Sequence, residues 1–195
     1  DEIVLNEIMY HPRGLGAVPP AVDETVLLAI DATWKYDESG TDRGTAWRAP
    51  GYVDSSWASG KALFYNETAD LPAAKNTQLD LGPTTYYFRT TFQFQGDPAA
   101  VALKLRTVLD DGALFYLNGV EVLRTNMPAG AVTASTLAST GVGDATFTGP
   151  FEIPAAGIVS GVNHLAVEVH QGSVGSSDVV FGAELIASVT VSPGS

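Results

Sequence analysis

Apolar and polar side chains alternate with a period of two through most of this chain, and no stretch holds the 3.6-residue period of an amphipathic helix. In residues 85–95, Phe88, Phe92 and Phe94 share one parity; in 101–106, Val101, Leu103 and Leu105 face one way while Lys104 and Arg106 face the other. Residues 162–170 place Leu165, Val167 and Val169 inward and His164, Glu168 and His170 outward; residues 178–187 place Val179, Phe181, Ala183 and Leu185 inward. Residues 25–36 read as one strand ending in Trp34-Lys35-Tyr36. Residues 2–9 read as a short isolated strand, followed by a breaker-rich linker from His11 to Pro20.

The most informative stretch is 108–125. It reads as a strand kinked at Asp110-Asp111-Gly112 that runs into a hairpin with Asn118-Gly119 as its two-residue turn. Asn-Gly suits a type I′ turn, because both central residues need positive φ. That turn sets Leu117 against Val120 and Phe115 against Val122 on one side, and Tyr116 against Glu121 and Leu114 against Leu123 on the other. One side is wholly apolar and demands a second layer. Seven or more half-buried strands, with long loop-like connections at 37–60 and 126–150, predict an all-β fold: an antiparallel β-sandwich, best fitted by a jelly roll. Asp54-Ser55-Ser56-Trp57 could cap a single helical turn.

Composition narrows the partners. The 195 residues carry 10 Lys plus Arg against 22 Asp plus Glu, a net charge of −12, which disfavours nucleic acid and anionic membrane surfaces, and polyanionic glycans too unless metal ions bridge. Zero cysteines exclude disulfides, thiol catalysis and cysteine-ligated metals. No apolar run approaches a membrane span, and no basic leader opens the chain, so a processed or excised piece of a longer protein is expected. The domains are read as a strand and linker over 1–24, a sandwich over 25–190 and a linker remnant over 191–195.

Sugar recognition needs flat aromatic faces and short polar side chains. The ligand-binding candidates are Tyr36, Trp47, Tyr52 and Tyr65, with His170; the alternative is that Trp34, Trp47 and Trp57 plug the ends of the sandwich. Asp110, Asp111 and Asp178 are candidate calcium ligands, since calcium takes carboxylate and carbonyl oxygens. The alternative for them is turn and cap duty toward backbone amides. Asp37-Glu38 with Asp42 is a competing loop. His170 with Ser176, Ser177 and Asp178 invites a hydrolase triad, but Gly172-Ser173-Val174-Gly175-Ser176 lacks the nucleophile-elbow pattern. Three histidines in all leave no zinc-hydrolase motif. Asn66-Glu67-Thr68 matches a glycosylation acceptor.

The motifs W-K-Y, G-T-A-W-R-A, Y-V-D-S-S-W-A-S-G, T-T-Y-Y-F-R-T-T-F, D-D-G-A-L-F-Y-L-N-G-V-E-V-L-R-T-N-M-P-A-G, G-V-N-H-L-A-V-E-V-H-Q and S-S-D-V-V-F-G-A-E-L occur in that order over about residues 26–187. In this combination the chain resembles a galactose-binding-like β-sandwich of the kind found as an accessory domain in large secreted bacterial multidomain proteins. Separately, I-V-L-N-E-I-M-Y-H-P is similar to the opening strand of a lamin-tail domain. The resemblance implies a jelly roll, carbohydrate binding by end loops or along a face, often a structural calcium ion, and no shared catalytic chemistry. Where relatives tend to have L-G-Y-G, this chain has Leu63-Phe64-Tyr65-Asn66. The function expected is a secreted, monomeric, non-catalytic carbohydrate-binding module that tethers a polysaccharide-acting protein beside neighbouring domains. The alternative is a structural or adhesion module that packs on those domains and binds no sugar.

Overall fold

The computed structural model describes residues 21–191. The strand and linker expected before residue 21, including the lamin-tail-like segment, and the tail from 192 onward lie outside the described residues. Twelve strands form two sheets. Sheet A holds β1 (Ala21–Leu28), β4 (Phe64–Asn66), β5 (Thr77–Gln78), β7 (Val101–Asp110), β10 (Phe147–Ile153) and β12 (Val179–Val191). Its order is β10-β7-β12-β4-β5, with β1 also pairing β12. Sheet B holds β2 (Thr33–Asp37), β3 (Ala58–Lys61), β6 (Thr85–Phe94), β8 (Gly112–Leu117), β9 (Val120–Thr125) and β11 (Gly161–His170) in the order β3-β2-β6-β11-β8-β9. All pairings are antiparallel except β4 with β5. The all-β sandwich expected from the alternation is the architecture observed.

The inner faces meet in one apolar layer. Phe181 of β12 stands at its centre, with its ring centroid 4.3 Å from Phe88 and 5.2 Å edge-on from Trp34, and with Phe64 and Phe115 each 6.4 Å away. The inward residues anticipated on β6, β7, β11 and β12 are all buried in this layer.

Three local expectations are corrected. Residues 25–36 do not form one strand: Ala32 donates to the Ala29 carbonyl (3.0 Å) in a turn that sends β1 and β2 into different sheets. The Asn118-Gly119 turn forms with both φ positive, at 49° and 90°, and Leu117–Val120 and Tyr116–Glu121 pair as expected. A bulge then makes Phe115 face Leu123 and Leu114 face Arg124. Asn118 also braces the neighbouring loop, donating to Gly157 O (2.7 Å) and Asn163 Oδ1 (2.8 Å) and accepting from His164 N (2.8 Å). The kink at Asp110-Asp111-Gly112 is the crossing from sheet A to sheet B, with only Asp111 between β7 and β8. Gly112 is needed there because a Cβ would lie 2.7 Å from both Asn126 O and Met127 Sδ.

The third correction concerns Glu168 and His170, which point outward from sheet B but are 2% and 0% exposed. Their neighbours on that outer face, Tyr87, Leu114, Tyr116 and Ala166, are apolar and buried against Trp47, Trp57, Met127 and Ala138 from the loops at 46–57 and 127–138. A polar residue on that face is therefore roofed along with them. Asp54 to Trp57 closes one turn (Trp57 N to Asp54 O, 3.0 Å) without becoming a helix.

Replacing Phe181 by Ala removes the ring that four aromatic neighbours share. It should cost about 3–5 kcal/mol, read as a lower urea midpoint at unchanged m-value; a loss below about 1 kcal/mol would contradict its central position.

Candidate functional site

The loop roof stops short of β2, and the uncovered part of the sheet B outer face is a groove of about 290 Å³. Its floor comes from strand pairing: Lys35 of β2 lies opposite Arg89 of β6, and Thr91 of β6 opposite His164 of β11. Thr33 and Ser59 add short hydroxyls, Thr90, whose hydroxyl donates to Thr33 O (2.8 Å), borders it, and Tyr52 and Asp54 form the wall. Arg89, 3% exposed, is held by Asp54 Oδ2 (2.8 Å) and by the Trp47 carbonyl. Its guanidinium lies 5.3 Å from the Tyr52 ring centroid, and Tyr52 meets Trp57 edge-on at 5.8 Å. One ion pair and two aromatic contacts thus fix the wall before any ligand arrives. Burial, and secondarily the Arg89 charge, hold His164 below the ordinary histidine range. It stands at neutral pH as an uncharged imidazole able to donate and accept.

Beneath the roof, Glu168 gathers the loops. Its Oε1 accepts from Tyr116 Oη (2.5 Å) and Arg48 Nη2 (3.1 Å), and the Arg48 guanidinium lies 4.3 Å over the Tyr116 ring. His170 Nδ1 lies 2.9 Å from Thr85 Oγ1 and 2.8 Å from Thr136 O. Thr85 Oγ1 gives its own proton to Ala134 O (2.9 Å), so Nδ1 is the donor to both oxygens. Burial pushes the Glu168 carboxyl upward, but the His170 ring, with Nε2 3.6 Å from Oε2, the hydrogen bond from Tyr116 and the charge of Arg48 outweigh it and hold it below the ordinary value.

Of the expected sugar contacts, Tyr52 lines the groove. Trp47 is 0% exposed, packed on Tyr87 (4.9 Å) and Tyr116 (5.8 Å), and has no free face; His170 is likewise sealed. Both are therefore corrected from candidate ligand contacts to parts of the roof. Tyr65 has Lys75 over its ring at 5.6 Å. Tyr36 leans on Phe64 (5.1 Å) beside a hollow of about 350 Å³ shared with Asp37, Arg43 and Trp57. A larger hollow, about 680 Å³ between the loops at 38–42 and 80–84 and residues 134–135, is acidic and has no aromatic lining. Lys35, Thr91 and His164 were missed as groove residues. Outward parity on adjacent strands was the signal, legible only once β2, β6 and β11 are known to be neighbours.

The second cluster lies where β4, β7 and β12 end. One carboxylate oxygen from each of Glu67, Asp110 and Asp178 lies within 4.8 Å of the others. Asp110 is 0% exposed, and neither of its oxygens has a hydrogen-bond partner. Burial above all, then Asp111, Asp178 and Glu67, push its carboxyl up to about 8. A wholly oxygen donor set around an unpartnered buried carboxylate fits a hard cation such as calcium. Asp111 is corrected out of this set, because its oxygens accept from Val142 N (2.5 Å) and Gly172 N (2.6 Å) and tie two loops to the crossing. Glu67 takes its place; it sits just past β4 in a segment the alternation left irregular. No triad assembles: Ser176 Oγ meets Asp178 Oδ1 (3.2 Å), while His170 is engaged elsewhere. The Asn66 side-chain amide, in the glycosylation-like triplet, donates to Leu79 O (2.8 Å).

No family model matches this chain, and no curated protein matches it. Among solved structures it is similar to a beta-glycosidase from Bacteroides vulgatus (12% identity, TM-score 0.51), covering 85% of this chain and 20% of that one. It is also similar to a calcium-binding mutant of Bacteroides uniformis beta-glucuronidase 2 (17%, TM-score 0.54, covering 85% and 18%). A beta-glucuronidase from glycoside hydrolase family 2 is a further match (13%, TM-score 0.51, covering 87% and 18%). The chain thus shares a β-sandwich fold with one part of multidomain glycosidases and spans about a fifth of their length.

Because the folded-state Glu168 carboxyl lies below its ordinary value of 4.5, the stability it provides is present above that value and is lost as pH falls through the folded one. Glu168→Gln should therefore be weaker than wild type by about 2–4 kcal/mol at pH 7, with the deficit narrowing in urea titrations as pH falls below 4.5. A deficit independent of pH would show that the charge of Glu168 does not hold the roof.

Proposed function

We propose that this chain is a non-catalytic carbohydrate-binding module, a galactose-binding-like jelly roll from a secreted multidomain protein that acts on polysaccharide. The observation that carries this reading is the open groove over β2, β6 and β11: a preformed hollow with one aromatic wall and a floor of hydroxyls, an imidazole and an ammonium. A sugar ring presents an apolar C–H face to Tyr52 and its hydroxyls to Thr33, Ser59, Thr91 and His164. The module works as a monomer alongside neighbouring domains. Modest affinity raises the local concentration of an attached enzyme near its substrate. The fold shared with part of several glycosidases supports this setting.

A calcium ion at Glu67, Asp110 and Asp178 belongs to the same proposal as a structural element. It would neutralise carboxylates that repel one another and pin together the ends of β4, β7 and β12, with no part in chemistry.

Affinity electrophoresis through gels containing a broad set of polysaccharides tests the glycan reading. Retention by at least one polymer, weakened about tenfold or more by Tyr52→Ala, is expected. Absence of retention across the set would make the chain a structural module. For the ion, calcium added to EDTA-treated protein should raise Tm by mass action in wild type but not in Asp110→Asn. Equal responses would remove the site.

A further inference from the structure

The groove departs in charge from the molecule that carries it. The chain has 22 acidic against 10 basic side chains, and among the described residues every lysine and arginine other than Lys35 and Lys75 stands in an ion pair with a carboxylate. Lys75 is taken up by the Glu67 carbonyl (2.9 Å) and the Tyr65 ring. Lys35 has only a long contact to Trp57 O (3.5 Å), and it lies on the groove floor. Within the groove, Asp54 is neutralised by Arg89 at 2.8 Å, and His164 is uncharged near neutral pH. The lining therefore sums to one positive charge, on Lys35, beside the side chains of Arg89 and His164. At physiological ionic strength charges more than about 8 Å apart are largely screened, so this local balance outweighs the net charge of the chain.

The geometry points to a sugar residue bearing a single negative group, a hexuronate or a sulfate ester, as the ring that this groove takes, with Lys35 facing the anion and Tyr52 facing the ring. This rests on the reading of the groove as a glycan site and narrows it. An ammonium left without a counter-ion in a preformed hollow gains a charge-assisted hydrogen bond when such a group enters, whereas a neutral sugar displaces its water and returns less. One charge in the hollow matches one anion per ring; a densely sulfated polyanion would bring further charges for which a chain of net charge −12 offers no other free lysine in the groove.

Calorimetric titration of the whole chain decides it, using galacto- and gluco-series oligohexuronides, the same oligosaccharides as methyl esters, and neutral counterparts carrying one sulfate. Binding of a uronide or a sulfate ester about tenfold or more tighter than its uncharged form, lost in Lys35→Met and weakened by salt, is the expected result, and the tighter of the two identifies the anion. The Met variant keeps the apolar stem of Lys35, so an unchanged Tm separates lost charge from lost packing. Equal binding of acid and methyl ester, or an acid preference untouched in Lys35→Met, would overturn the anionic assignment while leaving the glycan reading intact. Binding of none of the probes, charged or neutral, would overturn both.

Discussion

Tyr87, Leu114, Tyr116 and Ala166 form an apolar stripe on the side of sheet B turned away from the main core, and its burial against Trp47 and Trp57 is the constraint that shapes this face. A sheet that is greasy on both sides needs a layer on both sides. Here the loops at 46–57 and 127–138 supply that second layer. Their length is set by the area they cover, which is why 37–60 and 126–150 exceed anything a hairpin requires. Where the stripe gives way to Lys35, Thr91 and His164, no roof is needed, and the groove is what remains open.

The roof carries a polar load that is gathered on Glu168. Glu168, Arg48, Tyr116, His170 and Thr85 lie beneath apolar cover, and the first three share one carboxylate oxygen. Removing one partner from such a buried set leaves the others without compensation. On sheet A the opposite holds at Asp110, whose oxygens have no partner at all in the described structure. One cluster shares its hydrogen bonds on a single carboxylate; the other has the donor chemistry of a cation site. They lie on either side of the same short crossing, where Asp111 ties the loops at 142 and 172 to the step between sheets.

Much of the fold was legible because each strand carries one inward face, so Phe88, Leu105, Val167 and Phe181 announce their side by parity alone. Alternation cannot report what a distant loop does. Glu168 and His170 have outward parity, yet a roof more than a hundred residues earlier in the chain, at Trp47, seals them. Glu67 was invisible for a similar reason: its place beside Asp110 exists only because β4 pairs with β12 across more than a hundred positions. The hairpin register failed past Tyr116 because a bulge adds one residue that two-residue periodicity has no means to signal. Tyr52 was found because an aromatic in a polar loop already suggests a ligand face, whereas Lys35 and His164 read as ordinary solvated positions.

The central claim is that the uncovered part of sheet B, and not the acidic hollow at the loop ends, is where a ligand sits. Amide chemical-shift mapping during titration with a retained oligosaccharide tests this most directly. The account predicts saturable shifts concentrated at Thr33, Lys35, Tyr52, Arg89, Thr91 and His164, with the loops at 38–42 and 80–84 unmoved. Shifts centred on those loops, with the β2–β6–β11 surface silent, would contradict it.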